Sequence, residues 1–522
     1  MPDPDANSNT KLRVNSVPTI HDIDLFLAQH EERERERRDF AVPEENENII
    51  IDDDIPSVTI ASRRSRRFSV SEKGSTFGLT RQQKILIINM AFANLCNSVC
   101  FSLLAPFFPS EAARKGANGL TVGFIFGIYE LVIFITSPIF GSYVGKIGCN
   151  FMFCAGAFVC GVCSILFGFL DESPEGVVYI ALCFLCRILE AVGGSMFTTA
   201  SFIITSYCFP GRVATMFGVL ETFSGIGMMA GPALGGLLYQ VGGFKLPFII
   251  MGTLMCICGL ISIFTLPQMP DNNEKRENSV FALLKHMSVI LICGIIIIDA
   301  IALGFLEPTL EIHLEPFNLP HSLVGLCFLV APGIYAFTAP VWGFLGDKWK
   351  LNIHLMLLGN VAISISYLLL GPSNYLPFLP TEKLWLYLFS LGILGMFVGA
   401  ALVPTLAELL ISAWTLAKFP DNFETYGLTS GLFNSCFSLG SFLGPVGGGY
   451  LADELGFPKA SSVLAFAMLA WTVMSFIFYV YWGVKSKRHS KNSQLDDVLH
   501  TDETDSAFPV LSNTERSPLV KK

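Results

Sequence analysis

From residue 84 onward the chain alternates between long apolar runs and short polar turns. Twelve runs can be drawn, at about 84–108, 119–143, 150–170, 176–200, 212–240, 244–267, 283–308, 321–345, 352–371, 384–413, 425–452 and 461–484. Each reaches or approaches the roughly 20 residues that cross a bilayer as a helix. A helix is the element expected, because in hydrocarbon every backbone polar group must be satisfied within its own segment. The longest break, residues 268–282, is polar and divides the runs six and six. Before residue 81 the pattern is polar throughout. It holds one short helical candidate, in which Glu31/Arg35 and Glu34/Arg38 stand in the favourable i,i+4 order. An even number of spans predicts that both ends of the chain lie on one side of the membrane.

Composition sharpens this pattern. Hydrophobic residues make up 52% of the 522 positions and charged residues 15%, well below the quarter usual in soluble domains. Residues 1–80 and 485–522 carry 40 of the 77 charged side chains, leaving 37 for the 404 residues between them. Such a middle excludes a soluble enzyme, a nucleic-acid binder and a secreted scaffold. The net charge of −9 is shared between tails and core and points to no partner. The domains expected are a disordered cytosolic tail (1–80), a six-helix bundle (81–267), a cytosolic loop (268–282), a second six-helix bundle (283–484) and a disordered cytosolic tail (485–522). The turns at Lys146, Arg212, Lys275–Arg276 and Asp347–Lys350 and the tail from Lys485 to Lys491 place basic charge on one side, which predicts that side to be cytosolic. Arg63, Arg64, Arg66 and Arg67 reinforce it, and Arg66-Arg67-Phe68-Ser69 resembles a basophilic kinase site. The acidic start predicts no signal peptide. The 14 cysteines fall between Cys96 and Cys436, mostly in apolar runs, so helix packing is expected of them rather than disulfides or metal. His286, His313, His321 and His354 are scattered without metal spacing, and no cofactor is expected.

The two groups of six repeat one another. Gly227-x-x-x-Gly231-Pro232-x-x-Gly235 in the fifth run returns as Gly440-x-x-x-Gly444-Pro445-x-x-Gly448 in the eleventh. Gly141-x-x-x-Gly145-Lys146 after the second run returns as Gly343-x-x-x-Asp347-Lys348 after the eighth, and Pro106 returns as Pro308 at that same offset. Glycines four apart let helix backbones approach closely, and proline bends the helix. Two parallel repeats with a site near the midplane is a plan used by secondary transporters.

Charged residues inside the runs are costly and mark function by default. They are Glu130, Arg187, Glu190, Glu221, Asp299, Glu307 and Glu408. Arg187 and Glu190 share a helix face and read either as a proton-coupling pair or as a structural ion pair. Glu221 stands within reach of the same arginine. Asp299 and Glu307, on one helix, can line one cavity. Tyr129, Tyr335 and Tyr367 offer rings for cation–π contact with an amine.

The glycine–proline string resembles the antiporter motif of the major facilitator superfamily. The Gly343…Asp347-Lys348 turn resembles its cytosolic loop motif, whose acid can latch a helix N-terminus. Leu306-Glu307-Pro308-Thr309-Leu310 and the segment Gly231–Gln240 resemble the vesicular amine transporters, and Leu220–Gly225, Phe317–Pro320 and Pro404-Thr405 with Glu408 resemble their polyamine branch. The resemblance covers about residues 81–484. It implies a major facilitator fold, an all-α membrane protein with twelve transmembrane helices in two halves. It also implies a proton-coupled antiporter carrying cationic amines, most of all polyamines, from cytosol into acidic vesicles. Glu307, Glu130, Glu408, Asp299, Tyr129 and Tyr335 would meet substrate. Arg187, Glu190, Glu221 and Glu307 would handle protons. Gly227, Gly231, Pro232, Gly235, Gly343, Asp347, Lys348, Gly444 and Pro445 would serve conformational change. The departures are informative. Gly145 replaces the loop acid in the first half, while Asn97, Asn434, Tyr129 and Gly399-Ala400 stand where compact-amine carriers place charge. Carboxylates spread over several helices suit a long multivalent cation. The partners expected are the amine, protons and the bilayer, with no nucleic acid, and the unit expected is a monomer in a vesicle membrane, or else in the plasma membrane or lysosome. A drug/proton exporter at the cell surface and a non-transporting receptor or scaffold remain open alternatives.

Overall fold

A computed structural model describes residues 79–267, 269, 279–314, 317, 321–371 and 383–505. The side chains at positions 120, 307, 308, 311, 312, 321, 322, 324, 325 and 482–505 lie outside that description. The N-terminal tail, with Ser69 and the Glu31–Arg38 segment, lies outside it as well. Among the described residues twelve long helices follow one another: α1 Arg81–Ser102, α2 Gly119–Ile147, α3 Cys149–Gly168, α4 Val177–Cys208, α5 Val213–Gly242, α6 Lys245–Thr265, α7 Met287–Leu314, α8 His321–Trp349, α9 Asn352–Leu370, α10 Leu384–Thr415, α11 Phe423–Leu455 and α12 Phe457–Asp505. Two short helices, Phe108–Arg114 and Val280–Leu283, sit in connections. The described residues up to Ser475 form one compact body, and from Phe476 the chain belongs to a second unit, in which α12 continues to Asp505. The stretch 485–505, expected as disordered tail, is therefore helical in its backbone. It continues an established helix, so no new nucleus is needed.

Eleven of the twelve are long and apolar enough to cross a membrane. The exception is α11, expected as the eleventh span. Its polar residues Thr425, Thr429, Ser430, Asn434, Ser435 and Ser438 are buried inside the bundle, which lowers its hydropathy without exposing polarity to lipid. Local signals start and stop the helices. Thr80 and Gln83 form a capping box at α1, while Asn118 and Asn422 accept hydrogen bonds from the third residue of α2 and α11. Pro106, expected inside the first span, falls after α1 has ended at Ser102, whereas α7 continues helically through position 308. Gly148 closes the α2–α3 turn at φ 89°, and its counterpart in the second half, Lys350, makes the α8–α9 turn at φ 52°. That is the left-handed region, where glycine is free and lysine is strained.

The repeat is visible atom by atom. A Cβ on Gly227 would meet the Leu95 carbonyl oxygen, and one on Gly440 would collide with that of Ile297. Leu95 and Ile297 are themselves repeat counterparts, spaced as Gly141 and Gly343 are, so both partners in the contact follow the duplication. Gly231 and Gly235 press on Ser102 and Leu103 as Gly444 and Gly448 press on Gly304 and Phe305. In each half the fifth helix thus lies on the first through the same three glycines. Without a hydrophobic drive between helices in lipid, such close approach is what binds them.

Overpacking this seam costs about 1–3 kcal/mol or more. Gly235→Leu and Gly448→Leu are expected to lower the thermal unfolding midpoint of the detergent-purified protein. Gly449→Ala, where added bulk meets nothing within 4 Å, is expected to leave it unchanged or raise it.

Candidate functional site

Contacts between the two halves concentrate on one side. The tail side is taken as the end where α1 begins. There α2 crosses α11 with Gly141 against Gly427, and α5 crosses α8 with Ala214 against Gly343, so close that a Cβ on either glycine of the first pair would collide with the other's carbonyl. One buried cluster on this side draws Phe202, Ala214 and Phe217 from the first half together with Val289, Ala339, Leu406 and Phe433 from the second. Within it Phe202, Phe217 and Phe433 meet edge-to-face at centroid distances of 5.1, 5.1 and 5.5 Å, forming an aromatic plug. The cluster toward the other side is built from second-half residues only, from Ala302 to Met468. The described protein is closed on the tail side.

Asp347 holds that closure. Its carboxylate, at the tail-side end of α8, accepts from the Ala214 N–H at 3.2 Å, the Thr215 N–H at 2.6 Å and the Thr215 hydroxyl at 2.5 Å. These are the first amides of α5, where a helix leaves donors unsatisfied and an anion is favoured. The loop-motif acid singled out in the sequence therefore bridges the two halves in this structure. The first half has no equivalent, because Gly145 occupies the corresponding place and Asn422 caps α11 instead. Lys348 lies over Phe344 and Trp349 at 5.3 and 5.9 Å.

Between the plug and the midplane a neutral network joins the halves. Asn434 donates to Ser137 at 2.7 Å and to Thr198 at 2.9 Å, Ser137 bonds Ser195 at 2.8 Å, and Ser435 donates to the Phe134 carbonyl at 2.8 Å. Thr222 of α5 donates to the Ala336 carbonyl of α8 at 2.8 Å. Sequence reasoning noted Asn434 only as a missing acid. A lone amide in an apolar helix was the one available signal for this network.

The midplane carries the charges. Arg187 and Glu190 form a fully buried ion pair at 2.8 Å. The guanidinium lies 4.6 Å from the Tyr129 ring centroid and 5.4 Å from that of Phe101, while its Nε and Nη2 have no hydrogen-bond partner. Tyr129, expected to meet an amine, is 4% exposed and turns its ring to Arg187 instead. Glu221, expected beside Arg187, accepts from the Tyr335 hydroxyl at 3.1 Å. That bond spans the halves, and both residues are half-buried, as is Glu130.

The remaining expected residues are dispersed. Asp299 is fully buried inside the second half and does not line an open cavity. Its packing neighbours decide this, not its register with Glu307. Glu408 lies two turns from the tail-side end of α10, buried beside Asn352 and away from the midplane. Tyr367 is buried and donates to the Ala302 carbonyl. Glu307 lies on α7, and its side chain is outside the described residues.

Two six-helix halves, latched at one end and bridged by a carboxylate and a phenol at the middle, define a membrane transporter rather than an enzyme. A family model for the Major Facilitator Superfamily matches residues 90–412 and again 292–520, the second match starting as far beyond the first as Gly343 lies beyond Gly141, the spacing of the internal repeat. MFS-type transporter SLC18B1 of Mus musculus is 39% identical over 415 residues, covering 79% of this chain and 90% of that protein. The Synaptic vesicular amine transporter of Mus musculus is 22% identical over 384 residues, covering 73% and 70%. The crystal structure of the human organic anion transporter MFSD10 (TETRAN) superposes with a TM-score of 0.61 at 14% identity, covering 76% of this chain and all of that one, a likeness of fold. The chain belongs to the Major Facilitator Superfamily and, within it, to the vesicular amine transporter family, as the string around Leu306–Leu310 implied.

Removing the latch deprives two helix-terminal amides of a charged acceptor, worth about 1–3 kcal/mol or 5- to 150-fold in the closed population. Asp347→Ala is expected to speed amide hydrogen exchange in 213–222 and 343–349, and unchanged exchange would remove Asp347 from this role. Glu190→Gln leaves Arg187 charged and buried without its anion, expected to cost about 3–5 kcal/mol. The purified variant should melt earlier, and adding Arg187→Met should recover most of the loss.

Proposed function

We infer that this protein is a proton-coupled antiporter that moves cationic amines, polyamines above all, from the cytosol into acidic vesicles. The observation that carries the reading is the Glu221–Tyr335 bond between the halves. A half-buried carboxylate at the midplane, bonded among the described residues to a phenol from the opposite half, can exchange that phenol for an ammonium group when the halves move. Glu130 and Glu307, on α2 and α7, provide further carboxylates, so that separate amine groups of one long cation have separate partners. A site at the midplane between the two halves suits alternating access. The names of the vesicular amine relatives support the substrate class and the organelle.

In the working cycle the tail side faces the cytosol. The amine enters when the Asp347 latch and the aromatic plug part, and meets ionised carboxylates. Closure on the tail side, the state described here, then opens the site to the acidic lumen, where protonation of Glu221 and Glu307 weakens the grip. Each pH unit supplies about 1.4 kcal/mol per proton. A lumen-positive potential opposes entry by about 2.3 kcal/mol per charge per 100 mV. A trivalent amine therefore needs more than one proton per cycle, and several carboxylates supply them. Arg187 with Glu190 keeps a fixed charge pair beside the site, the protein acts as a monomer within the bilayer, and both tails are cytosolic.

Purified protein in liposomes with an acidic interior is expected to accumulate radiolabelled spermidine, and dissipating the gradient should abolish it. Glu221→Gln and Glu307→Gln should each lower the initial rate at least tenfold. Absence of gradient-dependent accumulation by the unmodified protein would overturn the reading.

A further inference from the structure

The second half contains a buried carboxylate with no cation beside it among the described residues. Asp299 on α7 is 0% exposed, and both of its oxygens lack a hydrogen-bond partner. Asn360 of α9 faces it and is equally buried. The Asn360 amide donates to the Met356 carbonyl at 3.2 Å, and its own oxygen is also left without a donor. The phenol nearest this pair, Tyr367, donates to the Ala302 carbonyl and is not available. Both Asp299 oxygens and the Asn360 oxygen are therefore left without a donor among the described residues. Tyr367, from α9, is the titratable group that faces Asp299. Among the described residues no charged side chain reaches it from α10, α11 or α12.

An ionised carboxylate in such a place would be a bare buried charge, which proteins neutralise rather than bear. One proton resolves the whole arrangement. It removes the charge from Asp299 and gives that carboxyl a donor to offer its polar neighbour Asn360. Arg187 differs in that it keeps its anion, Glu190, beside it. We propose that Asp299 and Asn360 form a second proton-binding site within the C-terminal half, one that carries a coupled proton without touching substrate. This rests on the proton-coupled reading above and deepens it. The proton is taken from lumenal water onto an Asp299 oxygen and returned to cytosolic water when the halves have switched, so no other reactant is consumed.

The route of coupling is contiguous packing. Gly440 of α11 sits directly on Ile297 and Ala300, which flank Asp299. Less than two turns earlier, Asn434 of the same helix bonds Ser137 and Thr198 of the other half. Opening the tail side must break those bonds and shift α11, and the seam that covers Asp299 shifts with it. In that state water from the cytosolic side reaches the carboxyl and takes the proton, whereas in the described state the carboxyl is sealed from that side.

Infrared titration of the purified full chain tests the site without relying on transport. A carbonyl-stretch band of a protonated, weakly hydrated carboxyl is expected in the wild type, absent in Asp299→Asn and moved in frequency in Asp299→Glu. In liposomes Asp299→Asn should retain spermidine exchange at equal pH within about twofold, with unchanged half-saturation. It should lose at least tenfold of gradient-driven accumulation, and Asp299→Glu should restore part of it. Gradient-driven accumulation within twofold of wild type, or a band unaffected by either substitution, would overturn the proposal, as would a sodium requirement removed by Asp299→Asn. Should Asp299→Asn not fold, the band shift and recoupled uptake of Asp299→Glu decide alone. Failure of the unmodified protein to move amines would refute the amine reading and leave the infrared result standing.

Discussion

Lipid offers helices no reward for burying apolar surface against one another, so they must be held by close fit and by polar contacts that have no competitor. The rest of this structure follows from that constraint. Its tightest crossings run over glycine. Within each half, Gly227, Gly231 and Gly235 or Gly440, Gly444 and Gly448 seat the fifth helix on the first. Between the halves, Gly141 meets Gly427 and Gly343 meets Ala214, on the tail side. The first kind of seam is backed by long continuous packing and makes each half a unit. The second kind is closest toward the tail side, and the bonds beside it include the Asp347 carboxylate, the Asn434 pair, Ser435 to Phe134 and Thr222 to Ala336. A few such bonds amount to a few kcal/mol, a scale on which ligands and protons can reverse an equilibrium.

The scaffold is symmetric and the chemistry is not. The glycine seams agree between halves position by position, yet each half has its own charges. The first half keeps Arg187 with Glu190 and presents Glu221 to the partner half. The second half has the latch acid that the first lacks, and an acid, Asp299, that has no cation. Backbone packing tolerates little change, because any Cβ on these glycines collides. Charges at the midplane are free to diverge with the task. Two duplicated bundles can thus share one mechanical design while only one end of one loop decides which state is latched.

Much of the fold was legible in the chain. Runs of apolar residues long enough to span a membrane became helices, most starting within a few residues of their expected limits while α4 and α12 run on well past theirs, because in hydrocarbon no other element satisfies the backbone. The glycine strings were readable because they recur, and Asp347 because it stands in a turn whose Gly343 and Lys348 repeat Gly141 and Lys146. The aromatic plug was not readable. Phe202, Phe217 and Phe433 are three of 45 phenylalanines, and nothing in a linear pattern says which three converge. Tyr129 looked available to an amine, but its ring lies against Arg187, a choice made by the packing of α2 on α4. The α11 helix was counted as an ordinary span. Its serines, threonines and asparagine are spared from lipid only because both faces are covered.

The sequence by itself determined the class of structure: a membrane body of duplicated halves, the residues at which its helices touch, and the small set of charges that a bilayer would not tolerate without purpose. Those features depend on local physics, on hydropathy, glycine's missing side chain and the cost of burying charge, and each is written along the chain. The tertiary structure decided the partners. Whether a buried acid is paired with an arginine, as Glu190 is, bonded to a phenol across the interface, as Glu221 is, or left without a hydrogen-bond partner among the described residues, as Asp299 is, depends on which helix faces stand opposite one another. That arrangement joins helices far apart along the chain, and no periodicity in the sequence encodes it.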